Sequence, residues 1–190
     1  MYLCFIQKIP MKWPGMDKIR DSADILQPEK EETYQFIEKL LSAVKESFST
    51  NRVHLGMDEA VMLGLGNYLK ENGYKKGSLI IREHCNRVVD ICRKLELKPM
   101  IWSDMYITAN STGGYYDLPE NTDCSKWEKP KKDLGLVYWD YYHDDTRTYE
   151  KMLDIHAQLS DNVIFAGGSW IWNGISPNYS KTYACTKAAL

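Results

Sequence analysis

The sequence predicts an α/β fold in which parallel strands alternate with helices. Four short runs rich in β-branched, apolar and aromatic residues occur near 53–57, 100–103, 136–141 and 163–167. Their spacing leaves room for a crossover helix between successive strands, as parallel βαβ units with right-handed connections require. Acidic or aromatic residues end or follow each run, and reactive side chains collected at the C-terminal ends of strands are typical of a (β/α)8 barrel.

An open doubly wound sheet is the competing arrangement. Nucleotide-binding sheets of that kind usually carry a glycine-rich phosphate loop directly after a strand. The stretch Gly64-Leu65-Gly66 lacks the third glycine and does not follow a strand directly. We therefore favour the barrel.

Periodic apolar stripes and capping residues predict the helices. Pro28 suits the first turn of one helix, and Ser78 suits the N-cap of the next. Between them, residues 61–77 carry four glycines and predict a short helix at most. A further helix is expected over 146–159, and another begins near Lys181.

Two segments are predicted to be irregular. Residues 1–20 are interrupted by proline and glycine, so we expect a loop with at most a short strand before it. Residues 105–133 predict a long polar loop. A loop of this length in a compact domain usually serves as a functional lid or rim.

Composition disfavours several classes of function. The 190 residues suffice for one domain, and a net charge of −2 does not favour nucleic acid or an anionic membrane surface as a partner. No stretch approaches the roughly 18 apolar residues of a membrane span. The first nine residues lack the basic start and the cleavage site of a signal peptide, so we expect a cytoplasmic protein.

Cysteine and aromatic residues give two further indications. The five cysteines include no C-x-x-C pair and have no histidine cluster beside them, so we expect no disulfide framework and no zinc site. We also expect no other metal and no cofactor. Many of the six Trp and thirteen Tyr residues fall at predicted strand ends. Aromatic platforms there suit the flat apolar faces of sugars, with ordinary core packing as the alternative for any single one.

The adjacent acids Asp58 and Glu59 are the strongest catalytic candidates. Neighbouring side chains on a strand point to opposite faces, but at the very end of a strand both can reach one pocket. Close carboxylates in an apolar surround raise each other's proton affinity, so one can act as a general acid while the other stays charged. A solvated pair at the start of a loop is the alternative, and the preceding His-x-Gly-x pattern argues against it.

The pattern His54-x-Gly56-x-Asp58-Glu59 resembles the signature of glycoside hydrolase family 20, the β-N-acetylhexosaminidases. The resemblance is greatest to a bacterial branch of exo-β-N-acetylglucosaminidases. It covers nearly everything from about residue 13 onward and includes several motifs in the family's order. The further matching stretches are Met57-Asp58-Glu59-Ala60-x-Met62-Leu63-Gly64-Leu65-Gly66, Lys98 to Met105, Leu136 to His143, and Asp161 to Gly168.

The resemblance implies removal of a terminal β-linked N-acetylhexosamine, most simply N-acetylglucosamine, by a retaining, substrate-assisted mechanism. The 2-acetamido oxygen of the sugar would be the nucleophile and would close an oxazolinium ion. By analogy Glu59 is the general acid and base, and Asp58 orients the acetamido group. His54 would support the pair, with a satisfied core histidine as an equal alternative.

The resemblance also suggests residues that bind the sugar. Trp102 and Trp139 would form walls of the acetamido pocket, and Trp170 and Trp172 are further wall candidates between which the sequence does not decide. Asp104 and Tyr141 would bind sugar hydroxyls or order the acids, with a purely structural role as the alternative. Four residues near the same rim stay unassigned: Asp140, Tyr142, His143 and Asp144.

The family barrel has eight strands, and residues 1–190 correspond to a partial catalytic barrel domain. By analogy the four predicted strands are about the fourth to the seventh, and the first strands and the eighth are lacking. We therefore expect weak activity or none from this chain alone, and self-association through exposed barrel edges. The choice between N-acetylglucosamine and N-acetylgalactosamine stays open.

Two other functions compete with this one. The first is a metal-dependent hydrolase barrel that uses His54, Asp58, Asp104 and His143. The second is a non-catalytic carbohydrate-binding fragment in which the aromatic residues bind sugar and the acids are incidental. A chelator would separate the first from the favoured mechanism, and the substitution Glu59→Gln would separate the second.

Overall fold

A four-stranded parallel sheet forms the centre of the structure, a computed structural model that describes residues 15–190. Its strands lie side by side in chain order, and each pairs in parallel with the next. The predicted α/β class and parallel pairing are confirmed. The strands are β1 (Arg52–His54), β2 (Lys98–Trp102), β3 (Gly135–Trp139) and β4 (Val163–Ala166).

Helices connect the strands and cover the sheet. Two of them lie between β1 and β2, one between β2 and β3, and one between β3 and β4. A 3-10 helix, Met16–Ile19, comes first, and the predicted strand before it lies in residues 1–14, outside the described range. The α-helices are α1 (Glu31–Ser47), α2 (Asn67–Asn72), α3 (Gly77–Lys94), α4 (Asp104–Thr108), α5 (Thr146–Leu159) and α6 (Tyr179–Ala189).

The core lies between the sheet and its helices. Ile37 of α1, Val88 of α3 and Met152 of α5 are each at most 1% exposed and belong to one apolar cluster with Ile101 and Leu136 of the central strands. Full burial of an aliphatic side chain of this kind stabilises a fold by about 1.5–3 kcal/mol. The ends of β2 and β3 are therefore held on a rigid base.

The starts of two helices differ from prediction. Pro28 lies in a turn before α1, because Glu29 adopts a left-handed conformation (φ 64°) that cannot continue into a helix. Ser78 lies inside the first turn of α3 instead of capping it. The reason is that the carbonyl of Lys76 already accepts hydrogen bonds from the amides of Leu79 and Ile80, at 3.0 and 3.2 Å.

The other predicted segments match more closely. Residues 61–77 contain only the short α2, and α5 spans the predicted 146–159, with Asp145 as its N-cap. The predicted loop 105–133 differs at its start, where α4 occupies the first turn. The rest of this loop is packed against the core through Tyr115, Leu118 and Cys124, all buried. It is therefore an ordered wall.

Candidate active site

The two acids lie in a sharp turn that follows β1. The strand ends at His54, earlier than the predicted 57, because Gly56, Met57 and Glu59 adopt left-handed backbone conformations with φ of 77°, 70° and 49°. Such conformations cost a non-glycine residue of order 1–3 kcal/mol and persist only where surrounding contacts enforce them. The turn takes Asp58, half-buried, and Glu59, exposed, out of the sheet.

Asp104 fixes this turn from the next strand. Its carboxylate is 4% exposed, and Oδ2 accepts a hydrogen bond from the backbone amide of Glu59 at 2.8 Å. Oδ1 accepts a longer one from the indole N–H of Trp139 at 3.4 Å. Asp104 thus connects the turn that carries Asp58 and Glu59, called the acid loop below, to the ends of β2 and β3.

Burial raises the pKa of Asp104 to about 6, and the charge of Asp58 adds to the rise. The hydrogen bonds from the Glu59 amide and the Trp139 indole oppose it, because they favour the ionised form. Asp104 is therefore mainly ionised at pH 7 and accepts both hydrogen bonds. The effect of Asp58 on this pKa also indicates that the two carboxyl groups interact.

An open cleft of about 640 Å³ lies beside Glu59. Volumes of this size are typical of small-molecule sites. Of the predicted site residues, Glu59, Asp104 and Trp139 line it. The remaining lining residues are mostly apolar: Ala60, Val61, Leu63, Gly77, Met105, Thr108, Ala109 and Tyr115.

A row of aromatic rings continues from the cleft along the sheet edge. Trp139 is stacked between Tyr115 and Tyr141, with ring centroids 5.2 and 5.7 Å away. Trp172 meets Tyr141 edge-on at 5.0 Å and stacks on Trp170 at 5.4 Å. Burial raises the pKa of Tyr141, and the charges of Glu59 and Asp58 raise it further, so this phenol lies within electrostatic reach of both acids.

The two tryptophans that the sequence did not separate differ in exposure. Trp170 is 6% exposed, and its indole N–H donates to the backbone carbonyl of Tyr141. Trp172 is 50% exposed and presents a free edge beside Tyr141. A Cβ on Gly168 would lie 2.8 Å from Trp172 and 2.9 Å from Tyr141, so glycine is required for this close packing.

His54 and Trp102 pack together and are hydrogen-bonded to the turn that carries the acids. Their rings are 4.4 Å apart, and His54 Nδ1 accepts the amide hydrogen of Gly56 at 3.1 Å. The backbone amide of Trp102 donates to the carbonyl of Gly56, also at 3.1 Å. Burial lowers the pKa of His54 to about 4, so the ring is neutral near pH 7. Both residues contact the turn that presents Asp58 and Glu59.

The unassigned rim residues form a second turn after β3. Asp140 is 1% exposed and accepts hydrogen bonds from the Tyr138 phenol at 2.8 Å and the Tyr142 amide at 2.9 Å. It also contacts His143 Nδ1 at 2.8 Å. Within residues 15–190, no three His, Cys, Asp or Glu side chains group closely enough to hold a metal ion.

Two buried polar groups that sequence reasoning did not select also shape the site. Asp21, 3% exposed, accepts hydrogen bonds from the backbone amides of Gly64 at 2.8 Å and Tyr68 at 2.7 Å. It therefore anchors the loop that follows the acids. Ser103, which precedes Asp104, and His156 are both fully buried and are hydrogen-bonded to each other. No local signal marks either feature, because each depends on contacts distant in sequence.

The buried histidines predict acid sensitivity. Burial lowers the pKa of His54, His84 and His156 from 6.5 to about 4. The unfolded chain therefore binds more protons below pH 6.5, and each histidine should cost roughly 2 kcal/mol of stability between pH 6.5 and 5. Asp104 acts in the opposite direction, since its raised pKa favours the fold below about pH 6. Urea unfolding at pH 7.5, 6 and 5 measures the net loss, and a pH-independent midpoint would contradict it.

The sheet, the acid pair and the aromatic row together define a class of protein. A parallel α/β sheet presents two adjacent carboxylates and a row of aromatic rings at the C-terminal ends of its strands, as barrel glycoside hydrolases do. The chain belongs to glycosyl hydrolase family 20, because the model of that family's catalytic domain matches residues 6–145. Catalytic domains of this family are (β/α)8 barrels, and the four described strands are a section of one.

Solved structures of the same family resemble the chain at low identity. A GH20 β-N-acetylhexosaminidase from Streptomyces coelicolor A3(2) is 13% identical, with a TM-score of 0.47 over 76% of this chain and 22% of that one. A GH20 exo-β-N-acetylglucosaminidase from Vibrio harveyi, in complex with N-acetylglucosamine, is 18% identical, with a TM-score of 0.49 over 76% and 19%. A β-N-acetylhexosaminidase from Bacteroides fragilis NCTC 9343 is 16% identical, with a TM-score of 0.48 over 86% and 30%.

The chain thus spans about a fifth to a third of the length of these structures. No curated protein matches it. Within residues 15–190, no helix has the length and apolar character needed to cross a bilayer.

Proposed function

We propose that this chain carries the acid pair of a glycosidase that removes terminal β-linked N-acetylhexosamine. One observation carries the proposal most strongly: exposed Glu59 lies beside the cleft with its backbone amide held by buried Asp104, and half-buried Asp58 precedes it. An exposed acid can reach the leaving oxygen, while a partly buried neighbour can hold a polar group of the sugar. Family membership supports this assignment.

In the proposed mechanism Glu59 gives its proton to the glycosidic oxygen as the bond from C1 to that oxygen breaks. The acetamido carbonyl oxygen of the same sugar bonds to C1, and Asp58 accepts the acetamido N–H and stabilises the developing positive charge. Water then attacks C1 and loses a proton to Glu59, and the oxazolinium ring opens with retention. An intramolecular nucleophile is already positioned, and a fixed anion beside a forming cation lowers the barrier.

The aromatic row is proposed as the wall of the sugar site. Trp139 lines the cleft together with Glu59, Tyr141 stacks on Trp139, and the exposed ring of Trp172 extends the wall outward. Trp170, buried and bonded to the Tyr141 carbonyl, supports Trp172 from behind. Such a wall would accept the N-acetyl methyl group, which a plain glucoside lacks. We favour N-acetylglucosamine as the terminal sugar.

We further propose that residues 1–190 are a partial catalytic barrel domain that self-associates. Within residues 15–190, β1 and β4 are the outer strands of the sheet. Several large apolar side chains near β4 are exposed, among them Ile171, Ile175 and Tyr183. Exposed strand edges and apolar surface favour pairing between chains. Sedimentation velocity over a range of protein concentrations measures this association.

A thermal melt with a thiazoline mimic of the oxazolinium intermediate tests the proposed function. If Asp58 and Glu59 form a real site, the chain should show one cooperative transition that the mimic raises. Ligand at about 100 times its dissociation constant should add roughly 2.7 kcal/mol of stability. Glucose at equal concentration is the control, because it lacks the acetamido group. A broad melt that the mimic leaves unchanged would contradict a functional site in this chain.

A further inference from the structure

A buried chain of hydrogen bonds links helix α5 to the wall of the cleft. His156 Nε2 lies 2.7 Å from Ser103 Oγ, which lies 2.7 Å from the phenol oxygen of Tyr115. His156 and Ser103 are 0% exposed and Tyr115 is 8% exposed. None of the three takes part in the proposed bond-breaking steps. We call them the α5 relay.

The direction of every hydrogen bond in the relay follows from its fixed members. His156 Nδ1 lies 2.5 Å from the backbone carbonyl of Met152, which can only accept, so Nδ1 carries the proton. Burial keeps the imidazole neutral by lowering its pKa to about 4, so Nε2 is an acceptor. Ser103 therefore donates to Nε2, and Tyr115 donates to Ser103. The backbone carbonyl of Val137, 3.1 Å from Ser103 Oγ, is a second and longer acceptor for the same hydroxyl.

The relay ends on the groups that form the site. The ring of Tyr115 stacks on Trp139 at 5.2 Å with an interplanar angle of 28°, and both rings line the cleft. The indole N–H of Trp139 donates to Asp104, whose other oxygen holds the amide of Glu59. Rotation of Tyr115 away from Ser103 would release the face on which Trp139 rests. The α5 relay is therefore connected to the acid loop through the Trp139 ring and the Asp104 carboxylate.

We propose that His156 is a positioning residue that sets the orientation of the Trp139 wall, and through it the acid loop, by way of Ser103 and Tyr115. A histidine serves here because it is one ring that donates to a helix carbonyl and accepts from Ser103 at the same time. An apolar residue of similar size would fill the volume but would leave the Ser103 hydroxyl only its longer contact with the Val137 carbonyl, so the hydroxyl would turn away from its present direction. An effect of His156 on catalysis rests on the proposed function, whereas its effect on the orientation of Trp139 does not.

The Trp139 indole N–H resonance in 1H–15N NMR tests the wall orientation directly and needs no ligand. A Trp139→Phe variant assigns the resonance. The substitutions His156→Leu and Tyr115→Phe should each shift it, because each breaks the relay. His156→Gln should leave it near its original position, because the amide oxygen can accept from Ser103. His84→Leu is the matched control, since His84 is a histidine of α3 that bonds to the Tyr34 phenol.

Thiazoline affinity then tests the consequence for the site. Loss of one hydrogen bond in the relay should weaken affinity about tenfold in His156→Leu and in Tyr115→Phe. The double variant should be no weaker than either single one, since both break the same chain. His156→Gln should restore affinity to within about threefold.

Several results would overturn the proposal. One is an unmoved Trp139 resonance in both His156→Leu and Tyr115→Phe. Another is a Gln variant that is disturbed as much as the Leu variant. Because Tyr115→Phe keeps the ring and His156 acts on Trp139 only through Tyr115, an unmoved resonance in this variant alone overturns the proposal even if His156→Leu does not fold. If the parent chain fails to bind thiazoline, the proposed function fails, and the resonance still decides the role of His156.

Discussion

Replacing Glu59 with Gln should lower the release of an aryl alcohol from an aryl N-acetyl-β-D-glucosaminide by roughly 10²–10⁴-fold, the usual contribution of general acid–base catalysis. Gln preserves the size of the side chain, and the Glu59 backbone amide keeps its bond to Asp104. Thiazoline affinity should therefore stay within a few-fold of the parent. Turnover at saturating substrate, measured beside thiazoline binding, separates the loss of a proton donor from the loss of the site.

Asp58→Asn, unlike Glu59→Gln, should weaken thiazoline affinity. Its carboxylate would face the positive charge of the bound thiazoline, so removal of the charge should weaken affinity roughly 10–100-fold. Glu150→Gln, on the exposed side of α5, is the matched control and should change neither quantity. Because we expect weak activity from the chain alone, turnover is also measured in a protein that includes the remaining barrel strands.

The alternatives give different results in the same experiment. A non-catalytic sugar-binding fragment would show no turnover in any form, and Glu59→Gln would change nothing. A metal-dependent hydrolase would lose turnover to a chelator, whereas the proposed mechanism would not. Unchanged thiazoline affinity in Asp58→Asn would remove the acetamido role from Asp58. Equal cleavage of a plain β-glucoside would argue against participation of the acetamido group.

The parts of the site that the sequence predicts are those that one strand end carries by itself. Asp58, Glu59, Asp104 and Trp139 each follow a recognisable apolar run, and parallel strands bring their C-terminal ends to one edge. The sequence does not predict which of the strand-end side chains line the cleft. Trp102 packs on His54 and is not among the residues that line the cleft beside Glu59, whereas Trp139 is, and no pattern in the chain distinguishes the two; a role for Trp102 in the sugar site stays a prediction.

The parts that sequence reasoning missed depend on distant contacts. His156 lies on the apolar face of α5 in the sequence pattern, where it cannot be told from a packed core residue. Its hydrogen bond to Ser103 becomes visible only when α5 is placed against β2. The early end of β1 has a similar cause: left-handed conformations at Met57 and Glu59 depend on tethers such as Asp104, and an apolar run does not encode them.

Asp21 is the missed residue with the largest expected effect on stability. Its two carboxylate oxygens accept the buried amides of Gly64 and Tyr68, and its backbone carbonyl accepts the amide of Asn67 at 2.8 Å. Asp21 thus accepts hydrogen bonds from the backbone amides of the loop after the acids and of the first turn of α2, whose donors have no partner within the helix. Gly66 packs directly against it.

Asp21→Ala should therefore lower the free energy of unfolding by roughly 3–5 kcal/mol, because two buried amides lose a charged acceptor. Asp24→Ala is the matched control, since Asp24 is exposed three residues later and should cost less than about 0.5 kcal/mol. Urea unfolding at pH 7.5 measures both. A loss below 1 kcal/mol in Asp21→Ala would show that water replaces the carboxylate and that the loop is not held there.

Gly66→Ala tests the same anchor while leaving the Asp21 side chain in the sequence. A Cβ at this position would lie 2.0 Å from the backbone carbonyl oxygen of Asp21, a contact that only a backbone shift can relieve. The shift would move the Gly64 and Tyr68 amides away from Asp21, so the variant should be destabilised and thiazoline affinity should fall with it. Gly77→Ala is the control for the added methyl group in the stability measurement, because nothing lies within 4 Å of a Cβ there and its φ is not positive. If stability falls but affinity per folded molecule does not, Asp21 holds α2 without shaping the cleft.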